Sequence, residues 1–132
     1  MAQTPQSTFQ NVRELKLTAS FVIGVEAGNE KIVNIQLRDR ENGNELSERA
    51  AVGFYLSVDA NGDAVAVAAT SLVAGTDGLM HEFISNSVGV LVSEADGDID
   101  VVVGDAAGVA TYYLILIMPD GKLVPSAAIT FA

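Results

Sequence analysis

The densest group of potentially reactive side chains is a run of four carboxylates, Glu94, Asp96, Asp98 and Asp100. Their alternate spacing would place Asp98 and Asp100 on one face of a β-strand, with the apolar Ile99 on the other. Carboxylates at this density either bind a divalent cation or remain solvated and repel one another. We favour a solvated, aggregation-resistant strand edge and keep a divalent-cation site at residues 94–100 as the alternative.

A second oxygen-rich segment, Asp59-x-Asn61-x-Asp63, has the alternate spacing of the first half of a calcium-binding loop. The pattern then fails, because Ala64 stands where that loop needs glycine and Thr70 where it needs a bidentate glutamate. The same residue types are typical of tight turns. We therefore interpret this segment as a turn.

Catalytic patterns are weak. His81 is the single histidine, it falls within an apolar segment, and the sequence has neither cysteine nor a Gly-x-Ser-x-Gly elbow. Glycosidase carboxylates would need an aromatic sugar platform, but only 6% of the residues are aromatic and none is tryptophan. No phosphate loop, dinucleotide fingerprint or zinc motif is present. We expect a non-enzymatic protein without a cofactor or metal.

The chain has 132 residues and a net charge of −10, which is unevenly distributed. Residues 51–132 hold ten acidic residues and one basic residue, whereas residues 1–50 are close to neutral. Because no basic stripe could displace counterions from phosphate, we expect neither nucleic acid nor an anionic membrane as a partner. The acidity either serves solubility alone or creates a dipolar domain with one end suited to a mixed-charge partner.

The N-terminus lacks a basic region followed by an apolar stretch, and no apolar run approaches the roughly eighteen residues that cross a bilayer. We therefore expect a protein made in the cytoplasm without a cleaved signal. Residues 1–12 are polar and rich in Gln, Ser and Thr, which predicts a flexible N-terminal arm. Residues 13–132 are predicted to form one domain.

The elements that would position these side chains are strands. Residues 15–23 alternate between apolar and polar, which is typical of a half-buried strand. Further short strands are predicted around residues 32–37, 51–58, 64–70, 79–84, 88–92 and 99–103, separated by turn signals. Asn42-Gly43 and the acidic turn 94–97 are each expected to join neighbouring strands as hairpins.

The C-terminal segment has the strongest pattern. Residues 109–118 are apolar on both alternating faces, so this strand should lie in the middle of a sheet and be covered on both sides. Pro119-Asp120-Gly121 then reverses the chain into a second apolar run. With about eight or nine short strands and no amphipathic helix, the sequence predicts an all-β fold, a single antiparallel sandwich.

Three segments carry a family resemblance. Residues 34–46 resemble the strand-and-turn opening of bacterial immunoglobulin-like domains of the invasin type, and Thr76-Asp77-Gly78-Leu79 is similar to their mid-domain turn. Residues 110–114 resemble the immunoglobulin strand that carries a tyrosine corner. The resemblance implies an immunoglobulin-like sandwich, although the tryptophan of the usual core is absent. A Lys–Asn isopeptide crosslink occurs in some such domains, but Lys16, Lys31 and Lys122 are all expected at exposed positions.

The whole chain also resembles the small immunoglobulin-like proteins encoded among tailed-phage virion genes. This likeness implies a virion structural protein, and more specifically a capsid decoration or accessory protein of the head or tail, with other virion proteins as partners and homo-oligomers on the particle. The alternative is a carbohydrate- or receptor-binding adhesin module that acts through its loops. For the virion function, the predicted partner-binding residues are Phe9, Val12 and Arg13 of the arm.

Overall fold

The computed structural model describes residues 16–132, which contain no helix and form ten short strands. In chain order these are β1 (Leu17–Ile23), β2 (Glu30–Asp39), β3 (Ala51–Ser57), β4 (Ser71–Ala74), β5 (Leu79–Ile84), β6 (Val88–Val92), β7 (Asp98–Gly104), β8 (Ala110–Ile117), β9 (Leu123–Pro125) and β10 (Ile129–Phe131). One sheet has the order β1-β2-β7-β4, and the other has the order β10-β8-β3-β6-β5 with β9 also paired to β8. Every pairing is antiparallel. The prediction of a single all-β antiparallel sandwich, an architecture typical of immunoglobulin-like domains, is confirmed.

The core lies between the two sheets and follows the period-two patterns of the strands. In β1, Leu17 is buried, and Ala19, Phe21 and Ile23 pack against the core, as the alternation predicts. The other strands of both sheets contribute the remaining large side chains of this core, which are Ile35, Leu37, Phe54, Leu56, Leu72, Leu91, Ile99, Leu114, Leu116 and Phe131. The core between the sheets therefore consists of aliphatic and aromatic side chains, whose burial stabilises the sandwich.

The C-terminal hairpin forms as predicted. Gly121 takes a φ of 87° and donates its N–H to the Met118 carbonyl at 2.8 Å, which reverses the chain between β8 and β9. β8 lies between β3 on one side and both β9 and β10 on the other. The second apolar run is thus divided in two at Ser126, whose Oγ accepts the Leu114 N–H at 3.0 Å in place of a ladder bond. This division explains why the strand count exceeds the predicted one.

Two predicted hairpins are wrong. Gly43 makes the expected turn, but the chain then forms only an isolated bridge, Arg38 with Glu45, and β3 joins the other sheet. The acidic turn likewise carries the chain from β6 in one sheet to β7 in the other. Local turn chemistry is present in both places, but it does not specify which sheet the following strand joins.

The strand predicted at residues 64–70 is also wrong, because this segment crosses between the sheets. Its amides donate in turn to Leu56 and Asn86 on the side of the second sheet and to Gly104 of β7. No single partner strand satisfies them, so no ladder forms. The short strand β4 follows at once and pairs with β7.

An ion pair ties the end of β2 to the C-terminal hairpin. The Arg40 guanidinium donates to Asp120 Oδ2 in the turn between β8 and β9. This hydrogen bond is the main cause that lowers the pKa of the Asp120 carboxyl below its usual value. The pair links the two sheets at their rim.

Tyr112 occupies a buried corner at the start of β8. Its hydroxyl donates to Asp105 Oδ1 at 3.3 Å, and its ring meets Phe131 edge-on with centroids 6.3 Å apart. Burial, followed by the charge of Asp105 and the hydrogen bond to it, raises the pKa of the Tyr112 hydroxyl. The turn before β8 is thus held to the strand by a hydrogen bond to a buried carboxylate.

We expect Tyr112→Phe to lower the free energy of unfolding by about 1–2 kcal/mol near neutral pH, because Asp105 loses a donor in a buried setting. Since the folded state holds the Tyr112 proton more tightly than the unfolded state, wild-type stability should fall as pH rises from about 10 through the raised pKa. The difference in the free energy of unfolding between wild type and Tyr112→Phe should therefore become smaller above a pH of about 10. Urea unfolding across this range measures both effects.

The matched control is Tyr113→Phe, which alters the neighbouring, half-buried tyrosine of the same strand. We expect it to change the free energy of unfolding by no more than about 0.5 kcal/mol. Equal losses in the two variants would contradict the role given to the Tyr112–Asp105 hydrogen bond.

Candidate functional site

The partner-binding residues predicted in the arm, Phe9, Val12 and Arg13, lie outside the described residues 16–132. The predicted boundary at residue 12 lies outside them as well. These assignments therefore stay predictions.

The most distinctive surface is the outer side of the second sheet, which we call the apolar face. Along each strand of this sheet, core-facing residues alternate with outward-facing ones. The outward-facing residues include Leu79 and His81 of β5, Val88, Val90 and Val92 of β6, Ala51, Gly53 and Tyr55 of β3, Tyr113, Ile115 and Ile117 of β8, and Leu123 and Pro125 of β9. Strands β3, β6, β8 and β9 contain no Asp, Glu, Lys or Arg. A surface that crosses four strands without a charge is unusual for a chain with a net charge of −10.

Strand register aligns the centre of the apolar face in one row. His81 lies opposite Val90, Val90 opposite Gly53, Gly53 opposite Ile117 and Ile117 opposite Leu123. A Cβ at Gly53 would stand 3.3 Å from the Ile117 Cβ, so the absence of a side chain lets Ile117 lie against the β3 backbone. Ile117 and Leu123 remain 37% and 39% exposed. The row carries no formal charge, is apolar apart from His81, and remains partly open to solvent.

Coverage of β8 on this side is only partial, which corrects the prediction that the strand is covered on both sides. Ile115 is fully buried because the turn after β3 folds over it, with Gly62 so close that a Cβ there would stand 3.1 Å from the Ile115 Cγ2. The Tyr55 hydroxyl donates to the Gly62 carbonyl at 2.7 Å and holds this turn down. Ile117, two residues further along β8, has no such cover.

The turn over Ile115 is the segment whose spacing suggests a calcium loop. Asp59 Oδ2 accepts the backbone N–H groups of Asn61 at 2.9 Å and of Asp63 at 3.0 Å. The carboxylate is therefore used to form the turn, as the sequence interpretation holds. The segment positions Gly62 over the sheet.

The remaining candidates from sequence are dispersed. His81 lies in β5 at the sheet edge and is exposed, opposite the half-buried Val90. Lys31 is half-buried with its Nζ 6.0 Å from the centre of the Phe131 ring, so it is not exposed as predicted. Lys16 and Lys122 are exposed before β1 and β9.

The acidic run is divided between different environments. Glu94 and Asp96 belong to the crossing turn, whereas Asp98 and Asp100 begin β7, which is an interior strand paired with β2 and β4. The expectation that these two residues lie on an edge strand is therefore wrong, although Asp98 remains half-exposed. Asp100 is only 8% exposed.

A third carboxylate joins them from another part of the chain. Asp77, in the turn between β4 and β5, brings one carboxylate oxygen within 4.8 Å of those of Asp98 and Asp100. Burial, followed by the charges of Asp77 and Asp100, raises the pKa of the Asp98 carboxyl. We call these three residues the acidic cluster.

Sequence reasoning missed Asp77 as a partner of the acidic run. Its segment, Thr76-Asp77-Gly78, was interpreted only as a turn. The sequence signal that could have identified Asp77 is the pair of oxygen-bearing side chains, Thr76 and Asp77, in a turn after a strand. Neighbouring residues do not show which strand this turn packs against. The β4–β7 pairing supplies the missing information.

Among residues 16–132 there is no helix that is long and apolar enough to span a membrane. No protein-family model matches the chain, and no curated protein matches it. A structure search finds a likeness to a cohesin module from a Clostridium perfringens family 33 glycoside hydrolase, at 14% identity and a TM-score of 0.38, covering 86% of this chain and 93% of that module. At these values the likeness carries no argument about function.

Proposed function

We propose that this protein is a non-enzymatic structural protein of a tailed-phage virion, which docks on a capsid or tail protein through its apolar face. The observation that carries the docking is the uncharged row across β5, β6, β3, β8 and β9. Burying such a row against a partner removes apolar surface from water, whereas a charged row would have to be desolvated. The proposal includes self-association of copies on the particle.

The opposite outer surface is less suited to docking. On β2, the outward positions include Glu30, Asn34, Gln36 and Arg38, which flank Ile32. Val22 of β1 and Val73 of β4 are further exposed apolar side chains of this surface. Arg38 is also engaged with the Ser20 hydroxyl of β1 at 3.1 Å. A partner there would have to desolvate charged and amide groups at the centre of the contact.

Charge defines the chemistry of the partner. Residues 51–132 have a net charge of −9, and the turns around the apolar face carry Asp59, Asp63, Glu94 and Asp120. A complementary surface is apolar at its centre and rimmed by lysine and arginine, which would also speed encounter. The virion assignment itself is supported by the resemblance of the chain to small phage immunoglobulin-like proteins.

The test uses particles assembled without this protein, to which purified protein is added. Ile117→Asp should weaken binding by at least about 30-fold, because the new carboxylate would be desolvated at the centre of the contact. Ile32→Asp is the matched control, since it makes the same change at an exposed mid-strand isoleucine of the other sheet. It should leave the Kd within about threefold.

Melting temperatures of both variants should stay close to wild type, so that altered binding is separated from unfolding. Equal losses of affinity in the two variants would show that the apolar face is not the docking surface. If wild-type protein binds no virion component but binds a glycan or a host receptor, the adhesin function replaces this proposal.

A further inference from the structure

The acidic cluster contains a buried carboxylate oxygen without a partner. Asp100 Oδ2 accepts the Thr76 hydroxyl at 2.9 Å, but Oδ1 is inaccessible to solvent and has no hydrogen-bond donor. An unpaired buried carboxylate oxygen is costly, and native proteins rarely leave one without a proton, water or ion. Something other than the side chains of residues 16–132 must satisfy it.

Within residues 16–132, no basic side chain serves as the missing partner of Asp100 Oδ1. The strand register puts Asn34 opposite Asp100 and Gln36 opposite Asp98, so the facing positions on β2 carry neutral amides. The Gln36 amide nitrogen is already used by the Leu37 and Asp96 carbonyls at 3.0 and 2.7 Å. Three carboxylates thus lie close together, and no described lysine, arginine or histidine forms an ion pair with them.

The backbone fixes this arrangement. The Gly75 N–H donates to the Asp100 carbonyl at 2.8 Å, and the Asp100 N–H donates to the Asp77 carbonyl at 2.9 Å. A Cβ at Gly75 would stand 2.7 Å from the Asp100 Cβ, so only glycine allows the turn to approach β7 this closely. The carboxylates are therefore held together by the fold and cannot simply separate to relieve their repulsion.

We infer that Asp77, Asp98 and Asp100 form a calcium site that holds the β4–β5 turn against β7. Calcium takes oxygen ligands at about 2.3–2.6 Å, so two ligands of one ion lie no more than about 5 Å apart, and three carboxylate oxygens within 4.8 Å of one another meet this limit. Calcium also accepts several carboxylates in a flexible, irregular geometry. Magnesium demands shorter distances and nearer octahedral geometry. The ion would also supply the missing partner of Asp100 Oδ1.

The sequence alone favours a solvated strand edge over a divalent-cation site at residues 94–100, and the calcium site reverses that preference. It does not depend on the proposed function, because the cluster lies on the outer side of the first sheet and the apolar face belongs to the second. A failure to bind particles would not contradict the calcium site. A failure to bind calcium would not contradict docking through the apolar face.

The test measures the melting temperature of the full chain after removal of divalent cations, and then with millimolar calcium chloride or with sodium chloride at the same ionic strength. Calcium should raise the melting temperature by about 5 °C or more, well beyond the sodium chloride effect, since a ligand that binds only the folded state stabilises it. Calorimetric titration should give one calcium per chain.

Asp98→Asn and Asp77→Asn should each abolish the calcium-specific rise. Glu94→Gln is the matched control, since it removes one charge from the same acidic run without touching the cluster, and it should keep the rise. If Asp98→Asn does not fold, Asp77→Asn in the turn provides the same comparison. A rise no larger than that with sodium chloride, or one that persists in both cluster variants, would overturn the inference.

Discussion

Ile115→Asp is expected to lower the free energy of unfolding by about 4 kcal/mol, against a total of roughly 5–15 kcal/mol for a domain of this kind. Ile115 is fully buried in β8, beneath Gly62 of the folded turn, and lies outside the main core cluster between the sheets. An aspartate there would place a carboxylate in a fully buried position and would displace the turn that Tyr55 anchors. Urea unfolding measures the loss directly.

Ile117→Asp is the control for this prediction, because it lies two residues further on the same face of the same strand. At 37% exposure its carboxylate can reach water, so the loss should stay below about 1 kcal/mol. If Ile115→Asp unfolds cooperatively at the same urea midpoint as wild type, this would contradict the packing of the turn over Ile115.

Gly89→Ala is expected to cost about 3 kcal/mol, although it adds a single methyl group. Register shifts between Glu82 and Ile84 of β5, and this irregularity brings the strand so close that a Cβ at Gly89 would stand 2.0 Å from the His81 carbonyl oxygen. The obstacle is backbone, so relief requires β5 to move away from β6.

Gly53→Ala provides the comparison on the neighbouring strand β3. Its nearest obstacle is the Ile117 side chain at 3.3 Å, which can shift, so we expect a loss at least about 1 kcal/mol smaller than for Gly89→Ala. Denaturant unfolding of both variants measures the difference. Equal losses in the free energy of unfolding for Gly89→Ala and Gly53→Ala would contradict the close approach of β5 to β6.

Strands with strong periodicity could be predicted from sequence. The alternation of residues 15–23 predicts β1, and the two-sided apolar pattern of residues 109–118 predicts that β8 lies inside a sheet, because both patterns report burial directly. The turn at Gly121 follows from its requirement for a positive φ. These features depend on neighbouring residues alone.

Sheet assignment could not be predicted, because it depends on distant partners. The turn at residues 94–97 has the composition of a hairpin, yet Leu91 and Ile99 on its two sides enter the core from opposite sheets. The alanine-rich segment 64–70 crosses the sandwich for the same reason. A pattern of apolar residues specifies that a side chain is buried but not the sheet from which it enters.

The acidic cluster illustrates this limit at a candidate site. The sequence places Asp98 and Asp100 on one face, which the register on β2 bears out. It could not reveal that Gly75 lets a turn from another strand cover Asp100, or that this turn adds Asp77. Burial of the carboxylate is a tertiary property, and it is what distinguishes this cluster from a solvated acidic surface.

The central claim is that the apolar face of the second sheet docks a virion protein, and the ratio of two dissociation constants tests it most directly. Both variants, Ile117→Asp and Ile32→Asp, are titrated against particles that lack the protein, under conditions in which each is shown to be folded. We predict that the Kd of Ile117→Asp exceeds that of Ile32→Asp by at least about tenfold. A ratio near one, or a larger loss for Ile32→Asp, would contradict the claim.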